Sequence, residues 1–190
     1  MKIGRLFLRA IIGGIFVSHG GQKLFGWFEG SGLEATSQGF ESMGMRPGRV
    51  HATAASATEI ASGTLALLGL APPLAASGIT ATMLTAIHRV HKKNGFFNTN
   101  GGYEFNLLLI GAALALAEAG PGEPSLDSAL GIDMHGPGWA LAALGAGAAG
   151  AAGAHLYAQS QAQPPAPTPP AAAAQTVSDQ APAEAAQPSA

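Results

Sequence analysis

Four apolar segments, separated by polar or proline-containing stretches, dominate the first two thirds of the chain. They cover residues 3–25, 49–70, 74–90 and 103–118. The first is about long enough to cross the roughly 30 Å hydrocarbon core of a bilayer as one helix. Between the second and third, Ala71-Pro72-Pro73 leaves room only for a tight turn, since proline lacks a backbone donor and clashes with a preceding helical turn. The pattern predicts an all-α membrane protein whose core is an antiparallel four-helix transmembrane bundle.

The rest of the chain is polar, or apolar only in part. Residues 26–48 predict an extramembrane loop, within which a short interfacial helix and a solvated loop are equally fair interpretations. An acidic loop at 120–138 precedes an Ala/Gly run at 139–157 that predicts a marginal fifth helix. Residues 159–190 hold more than half of the chain's 13 prolines, so this segment cannot bury a core and should be disordered. We therefore expect a transmembrane domain at 1–128, the loop end and fifth apolar segment at 129–158, and a disordered tail at 159–190.

The first apolar segment carries a stripe of cationic side chains. On a helix that turns about 100° per residue, these residues fall within an arc of roughly 80°. They are Arg5, Arg9, His19 and Lys23. A centrally placed charge costs roughly 2.5–3.5 kcal/mol on insertion scales, so the stripe should face other helices or a wet cavity rather than lipid.

Acidic partners for this stripe are available on two other segments. Glu59 shares a helical face with three small residues, Ala52, Ser56 and Gly63. Small residues four apart allow helices to approach closely, so this face should deliver Glu59 into a helix contact. We expect an ionic core in which Glu59 pairs with Arg9 or His19, Glu104 with Lys23, and Glu118 with Arg5. The alternatives for Glu59 are a protonated, hydrogen-bonded carboxyl, contact with a ligand, and direct chemistry.

The third segment ends with His88 and His91, a His-x-x-His pair that could hold a metal on a helix. Glu104 is the one obvious carboxylate nearby, so the metal signal is weak. We instead interpret these histidines as interfacial cations whose charged ends extend to the membrane surface, and we expect no metal site.

Composition narrows the function classes. Only 11% of the residues are charged, against about 25% in ordinary soluble domains. A net charge of −2 offers no bulk attraction for nucleic acid. The chain has no cysteine, which excludes disulfides, thiolate nucleophiles and cysteinyl iron–sulfur clusters, so redox chemistry would need a borrowed cofactor or partner. The basic start and apolar run are interrupted by Arg9, which favours an uncleaved first helix over a signal peptide.

Five short motifs in register resemble the DoxX family of small integral membrane proteins over roughly residues 3–128. The motifs are His19-Gly20-x-x-Lys23-Leu-Phe-Gly26, Glu59-Ile-Ala-Ser-Gly63-x5-Gly69-Leu, Asn94-Gly-Phe-Phe97, Gly101-Gly-Tyr-Glu104 and Ser125-Leu-Asp127. The resemblance implies a multi-pass four-helix domain in the plasma membrane, with ties to sulfur, quinone or oxidative-stress redox systems. It adds Asp127 to the candidate buried polar or ligand residues, and it assigns no catalytic residue.

Three functions are consistent with these features. The first is a membrane subunit or anchor of a redox complex that recruits soluble redox enzymes, with the bilayer and further copies of the chain as other partners. The second is a quinone-linked oxidoreductase with a proton relay through Glu59, His19 and Glu104. The third is a small-solute transporter. The count of Lys and Arg leans toward cytoplasmic loops after the first and third segments.

Overall fold

The computed structural model describes residues 3–162, and this part of the chain is helical without strands. Its α-helices are α1 (Ile3–Phe25), α2 (Gly32–Ser42), α3 (Gly48–Leu68), α4 (Pro72–Ala86), α5 (Glu104–Ala119), α6 (Leu126–Leu130) and α7 (Pro137–Ser160). A π-helical turn at Ile87–His91 continues α4. Short 3-10 turns lie at Trp27–Glu29, Lys92–Asn94 and Asn98–Asn100. Most of the predicted tail, residues 163–190, lies outside the described residues.

The four long helices that the apolar pattern predicts pack in a cycle. Helix α1 contacts α3, α3 contacts α4, α4 contacts α5, and α5 contacts α1. The short helix α2 packs on α3 and α1, and α7 packs along α4 and α5. The centre is apolar, with Ile12, Phe16, Ile79, Leu109 and Leu116 among its buried side chains. The predicted hairpin between the second and third segments is confirmed.

Glycine allows α1 and α3 to approach closely. A Cβ on Gly13 would lie 2.6 Å from the carbonyl oxygen of Gly63, and one on Gly20 would lie 2.8 Å from that of Ser56. Real Cβ atoms essentially never come this close, so larger residues would separate the helices. The predicted small-residue face of α3 is confirmed as a helix contact, with Ser56 fully buried.

Two helices in the described part of the chain, α1 and α7, are long and apolar enough to cross a membrane by length and composition. Helix α5 has 16 residues, which span about 24 Å at 1.5 Å per residue, less than the roughly 30 Å core. The sequence at 139–157 predicted only a marginal helix. In the structure this segment lies within α7, which is long and apolar enough to cross a membrane. A transmembrane bundle of four helices stays a prediction.

Candidate functional site

A cleft of about 450 Å³ opens between α2, α3, α4 and α7. Small and apolar side chains form most of its walls, among them Met43, Met45, Ala55, Met83 and Ala154. Its polar lining consists of Lys23, His51, Thr58, Glu59, Thr82, Thr85, Arg89 and His91. The cleft is therefore a mostly apolar cavity in which a few charged groups converge, as in small-molecule binding sites.

The ion pair between Lys23 and Glu59 lies in the wall of this cleft. The Lys23 Nζ atom is 2.5 Å from Oε1 of Glu59. Glu59 is only 3% exposed, whereas the Lys23 side chain retains 33% of its exposure. The second carboxylate oxygen of Glu59, Oε2, is buried and has no hydrogen-bond partner among the described residues. One oxygen of a buried carboxylate is thus held by a cation, and the other is free to accept a hydrogen bond.

The predicted partners of Glu59 were wrong in detail. His19 is exposed, because Gly13, Phe16 and Gly20 form the buried side of α1 and leave His19 at its edge. The antiparallel packing sets Gly20 against Ser56. Lys23 and Glu59 lie three residues further along their helices, and because helical side chains tilt toward the N-terminus, both reach back toward this level and pair. The expected pair of Lys23 with Glu104 does not form.

Backbone carbonyls, not carboxylates, bind the two cations at the other end of α1. Arg5 donates to the carbonyl oxygens of Ala119 and Gly120, which lie at the end of α5. The last carbonyls of a helix lack intrahelical partners and carry partial negative charge, so they suit a guanidinium. Buried Arg9 donates to the Pro124 carbonyl. The expected pairs of Arg5 with Glu118 and of Arg9 with Glu59 are absent from the described residues, and the predicted ionic core reduces to Lys23 and Glu59.

Glu104 and His91 organise the loop between α4 and α5. Glu104 Oε1 accepts a hydrogen bond of 2.6 Å from the backbone N–H of Asn98. His91 Nδ1 lies 2.7 Å from the carbonyl oxygen of Gly101 and donates to it. One oxygen of Glu104 is therefore held within its own loop, and Lys23 pairs with Glu59 instead.

His88 and His91 do not converge on a common point. His88 is exposed, and its ring packs edge-on against that of His155 with centroids 4.5 Å apart. Within residues 3–162, no group of three or more His, Asp and Glu side chains could hold a metal. The two histidines therefore have separate partners, a ring on α7 for His88 and a loop carbonyl for His91.

Asp127 holds the turn between α3 and α4. It is 2% exposed, and its Oδ1 accepts a hydrogen bond of 2.9 Å from the backbone N–H of Ala71. Its own N–H donates to the Gly69 carbonyl at 3.1 Å. Ala71 has a positive φ of 44°, which is uncommon for a residue with a side chain. Asp127 thus stabilises a strained turn from a short helix far along the chain.

Sequence reasoning missed two residues of the cleft, His51 and Arg89. The His51 ring stacks on Phe40 at 6.5 Å and lies 5.6 Å from the ring of Tyr157. Arg89 donates through Nε to His155 at 2.9 Å and through a terminal nitrogen to the Met43 carbonyl at 3.2 Å.

These contacts tie α2, α4 and α7 together around the cleft. The one sequence signal for His51 was its position directly before Ala52, at the edge of the small-residue face. Arg89 gave no signal beyond its place in a basic cluster.

Comparisons with known proteins identify the family of the chain. The sequence model of the DoxX family matches residues 4–92, which contain both Lys23 and Glu59. The chain is similar to the protein of Bacillus subtilis (strain 168) named "Putative oxidoreductase CatD", with 34% identity over 126 residues, 66% of this chain and 86% of that protein. No solved structure matches the chain. The family model matches residues 4–92, and the similarity to the Bacillus subtilis protein covers 86% of that protein. The chain therefore belongs to the DoxX family.

Proposed function

We propose that this chain is an integral, multi-pass plasma-membrane subunit of a redox complex, and that the cleft between α2, α3, α4 and α7 binds a quinone headgroup. The observation that carries the proposal is the Lys23–Glu59 pair in the wall of a largely apolar cavity. Membership of a membrane-associated family and similarity to a protein named as an oxidoreductase support it.

The residues of the cleft fit a quinone. A quinone has a flat apolar ring, two carbonyl oxygens and an apolar tail. The ring suits the methionine and alanine walls, and about 450 Å³ lies within the usual range for small-molecule sites. Lys23 carries three donor hydrogens and gives one to Glu59, which leaves donors for a carbonyl oxygen. The free Oε2 of Glu59 can accept a hydrogen bond from a hydroxyl.

When bound, a quinone would supply two-electron, two-proton redox chemistry. This chain would bind and orient the headgroup, and Glu59 would hold or accept a proton at Oε2. Lys23 would stabilise the carboxylate, and the apolar walls would exclude water. Of the expected relay through Glu59, His19 and Glu104, this proposal keeps Glu59 and sets Lys23 beside it in place of the other two, because His19 is exposed and Glu104 binds its own loop.

The absence of cysteine from the chain supports the subunit role. Without cysteine it has neither thiol redox chemistry nor cysteinyl iron–sulfur clusters. Electrons would come from a soluble redox enzyme recruited through the loops or the tail. Co-purification in mild detergent should recover such an enzyme, and repeated recovery of a homo-oligomer alone would count against this role.

The multi-pass arrangement needs further spanning helices besides α1 and α7, the two that are long and apolar enough to cross a membrane. Helix α4 and its π-helical turn together have twenty residues, which span about 30 Å and match the hydrocarbon core. Helix α3 has 21 residues. In this proposal α1, α3, α4 and α5 form the transmembrane domain at 1–128, and α7 adds a span.

Quinone binding can be tested on the purified full chain in detergent. A quinone analogue at about one hundred times its Kd should stabilise the protein by about 2.7 kcal/mol, which a thermal unfolding assay can detect. Glu59→Gln should weaken the effect, and Ala55→Leu should block it by filling the cleft.

Matched controls are Glu118→Gln and Ala57→Leu, which change exposed positions outside the cleft lining. They should leave the stabilisation intact. Absence of stabilisation in the unmodified protein, or equal loss in cleft and control variants, would refute quinone binding at this site.

A further inference from the structure

A second cavity, of about 490 Å³, opens between the end of α4, the start of α5 and α7. It shares no lining residue with the first cleft and lies on another side of α4. Its lining comprises Leu84, Ile87, His88, Lys92, Tyr103, Ala151, Ala152 and His155.

The lining changes from apolar to cationic along α4. Leu84, His88 and Lys92 all line the cavity, so they follow one another along one side of α4 and of the turns that continue it. Leu84 and Ile87, together with Ala151 and Ala152 of α7, form the apolar part. A ligand that follows this gradient would have an apolar chain and a polar head at the Lys92 end.

The polar end has an excess of positive charge. Of the five basic residues at 88–93, His88 and Lys92 line this cavity, Lys93 follows Lys92 in the sequence, and Arg89 and His91 line the first cleft. None of them makes a salt bridge with a carboxylate within residues 3–162. Basic pockets of this kind between membrane helices suit anionic headgroups.

His155 adds a donor to this cavity. Its Nδ1 accepts the hydrogen bond from Arg89, so in the neutral ring Nε2 carries the hydrogen. The Nε2 atom is buried and has no acceptor among the residues that the structure describes. An acceptor-rich group such as a phosphate would satisfy it.

We propose that this cavity binds one anionic phospholipid. Lys92, Tyr103 and His155 would donate to the phosphate, and an acyl chain would lie along Leu84, Ile87 and Ala152. This site rests on the membrane placement proposed above, and it is independent of quinone binding.

The test uses the full chain in mixed micelles, with bound lipid measured by native mass spectrometry. We expect retention of one phosphatidylglycerol in preference to phosphatidylcholine. Lys92→Gln should weaken phosphatidylglycerol retention by about fivefold, the factor that corresponds to about 1 kcal/mol per basic residue. Lys93→Gln removes the same charge outside the cavity lining and should have a smaller effect.

A second pair of variants leaves the charge unchanged. Ala152→Leu fills the apolar part and should reduce retention, whereas Ala149→Leu, exposed on the same helix and outside the lining, should not. If Lys92→Gln fails to fold, Tyr103→Phe replaces it. Equal retention of both lipids, equal effects of Lys92→Gln and Lys93→Gln, or no effect of Ala152→Leu would overturn the site. The quinone-dependent stabilisation should be the same in all these variants, so the two proposals can fail separately.

Discussion

Replacing Lys23 and replacing Glu59 should lower the free energy of unfolding by different amounts. Glu59 is 3% exposed, whereas a third of the Lys23 side chain is exposed. Lys23→Met leaves a buried carboxylate without its cation, and breaking a buried pair in this way costs about 3–5 kcal/mol. Glu59→Gln leaves an ammonium group that can still reach solvent and that the amide oxygen can still bind. We expect Glu59→Gln to cost about 1 kcal/mol, on the scale of a net hydrogen bond.

The free energy of unfolding can be measured by denaturant titration of the purified variants in one detergent. Trp27, whose ring packs against Gly21 of α1, provides a fluorescence signal for unfolding. Lys93→Met, the same change at an exposed lysine, is the matched control and should be nearly neutral. The double variant Lys23→Met/Glu59→Leu should recover most of the loss, because no buried charge remains. Equal costs for the two single changes, or a double variant worse than Lys23→Met, would refute the reasoning.

Three further predictions test the packing of the helices and of the turn between α3 and α4. Gly63→Ala should destabilise the protein by about 1–3 kcal/mol, because the new Cβ would lie 2.7 Å from the Gly13 carbonyl oxygen. The control Gly111→Ala has open space around it and should be neutral or stabilising in the same unfolding assay. Asp127→Ala should lower the free energy of unfolding by about 1–3 kcal/mol, because it leaves the buried Ala71 N–H without an acceptor. Asp127→Asn keeps an acceptor oxygen and should retain most of that stability. Similar losses in both variants would show that the hydrogen bond to Ala71 does not stabilise the turn. Arg89→Gln should increase hydrogen exchange at the end of α7, and unchanged protection there would show that the hydrogen bond to His155 is not needed for docking.

The helices were predictable because their signals are local. Apolar runs bounded by glycine and proline predicted segments at 49–70 and 103–118, and the helices lie at Gly48–Leu68 and Glu104–Ala119. The close contact of α1 with α3 was predictable too, since small residues such as Ser56 and Gly63 recur on one face.

The partner of Glu59 was not predictable in the same way. His19 and Lys23 differ by only about 40° on the helical wheel. Which of them turns inward depends on how α1 rotates, and the close contacts of Gly13 and Gly20 decide that rotation. This information comes from tertiary packing and not from the spacing of charges.

The partners of Arg5 were also not predictable from the spacing of charges. Matching cations with carboxylates ignores backbone acceptors, and the end of α5 offers carbonyl oxygens that satisfy Arg5. Similarly, Asp127 was a candidate ligand residue, but its position beside the α3–α4 turn gives Oδ1 a backbone partner. Long-range contacts to irregular backbone have no periodic signature in a sequence.

Photoaffinity labelling with an azidoquinone tests the central claim most directly. Irradiation of the full chain in membranes, followed by peptide mapping, should place the label on cleft-lining segments around Met43, Glu59 and Met83. Excess unlabelled quinone should abolish the label, and Glu59→Gln should reduce it while Glu118→Gln leaves it unchanged. Labelling that excess quinone does not compete, or that falls on exposed positions such as Leu108 and not on the cleft, would contradict a quinone site between α2, α3, α4 and α7.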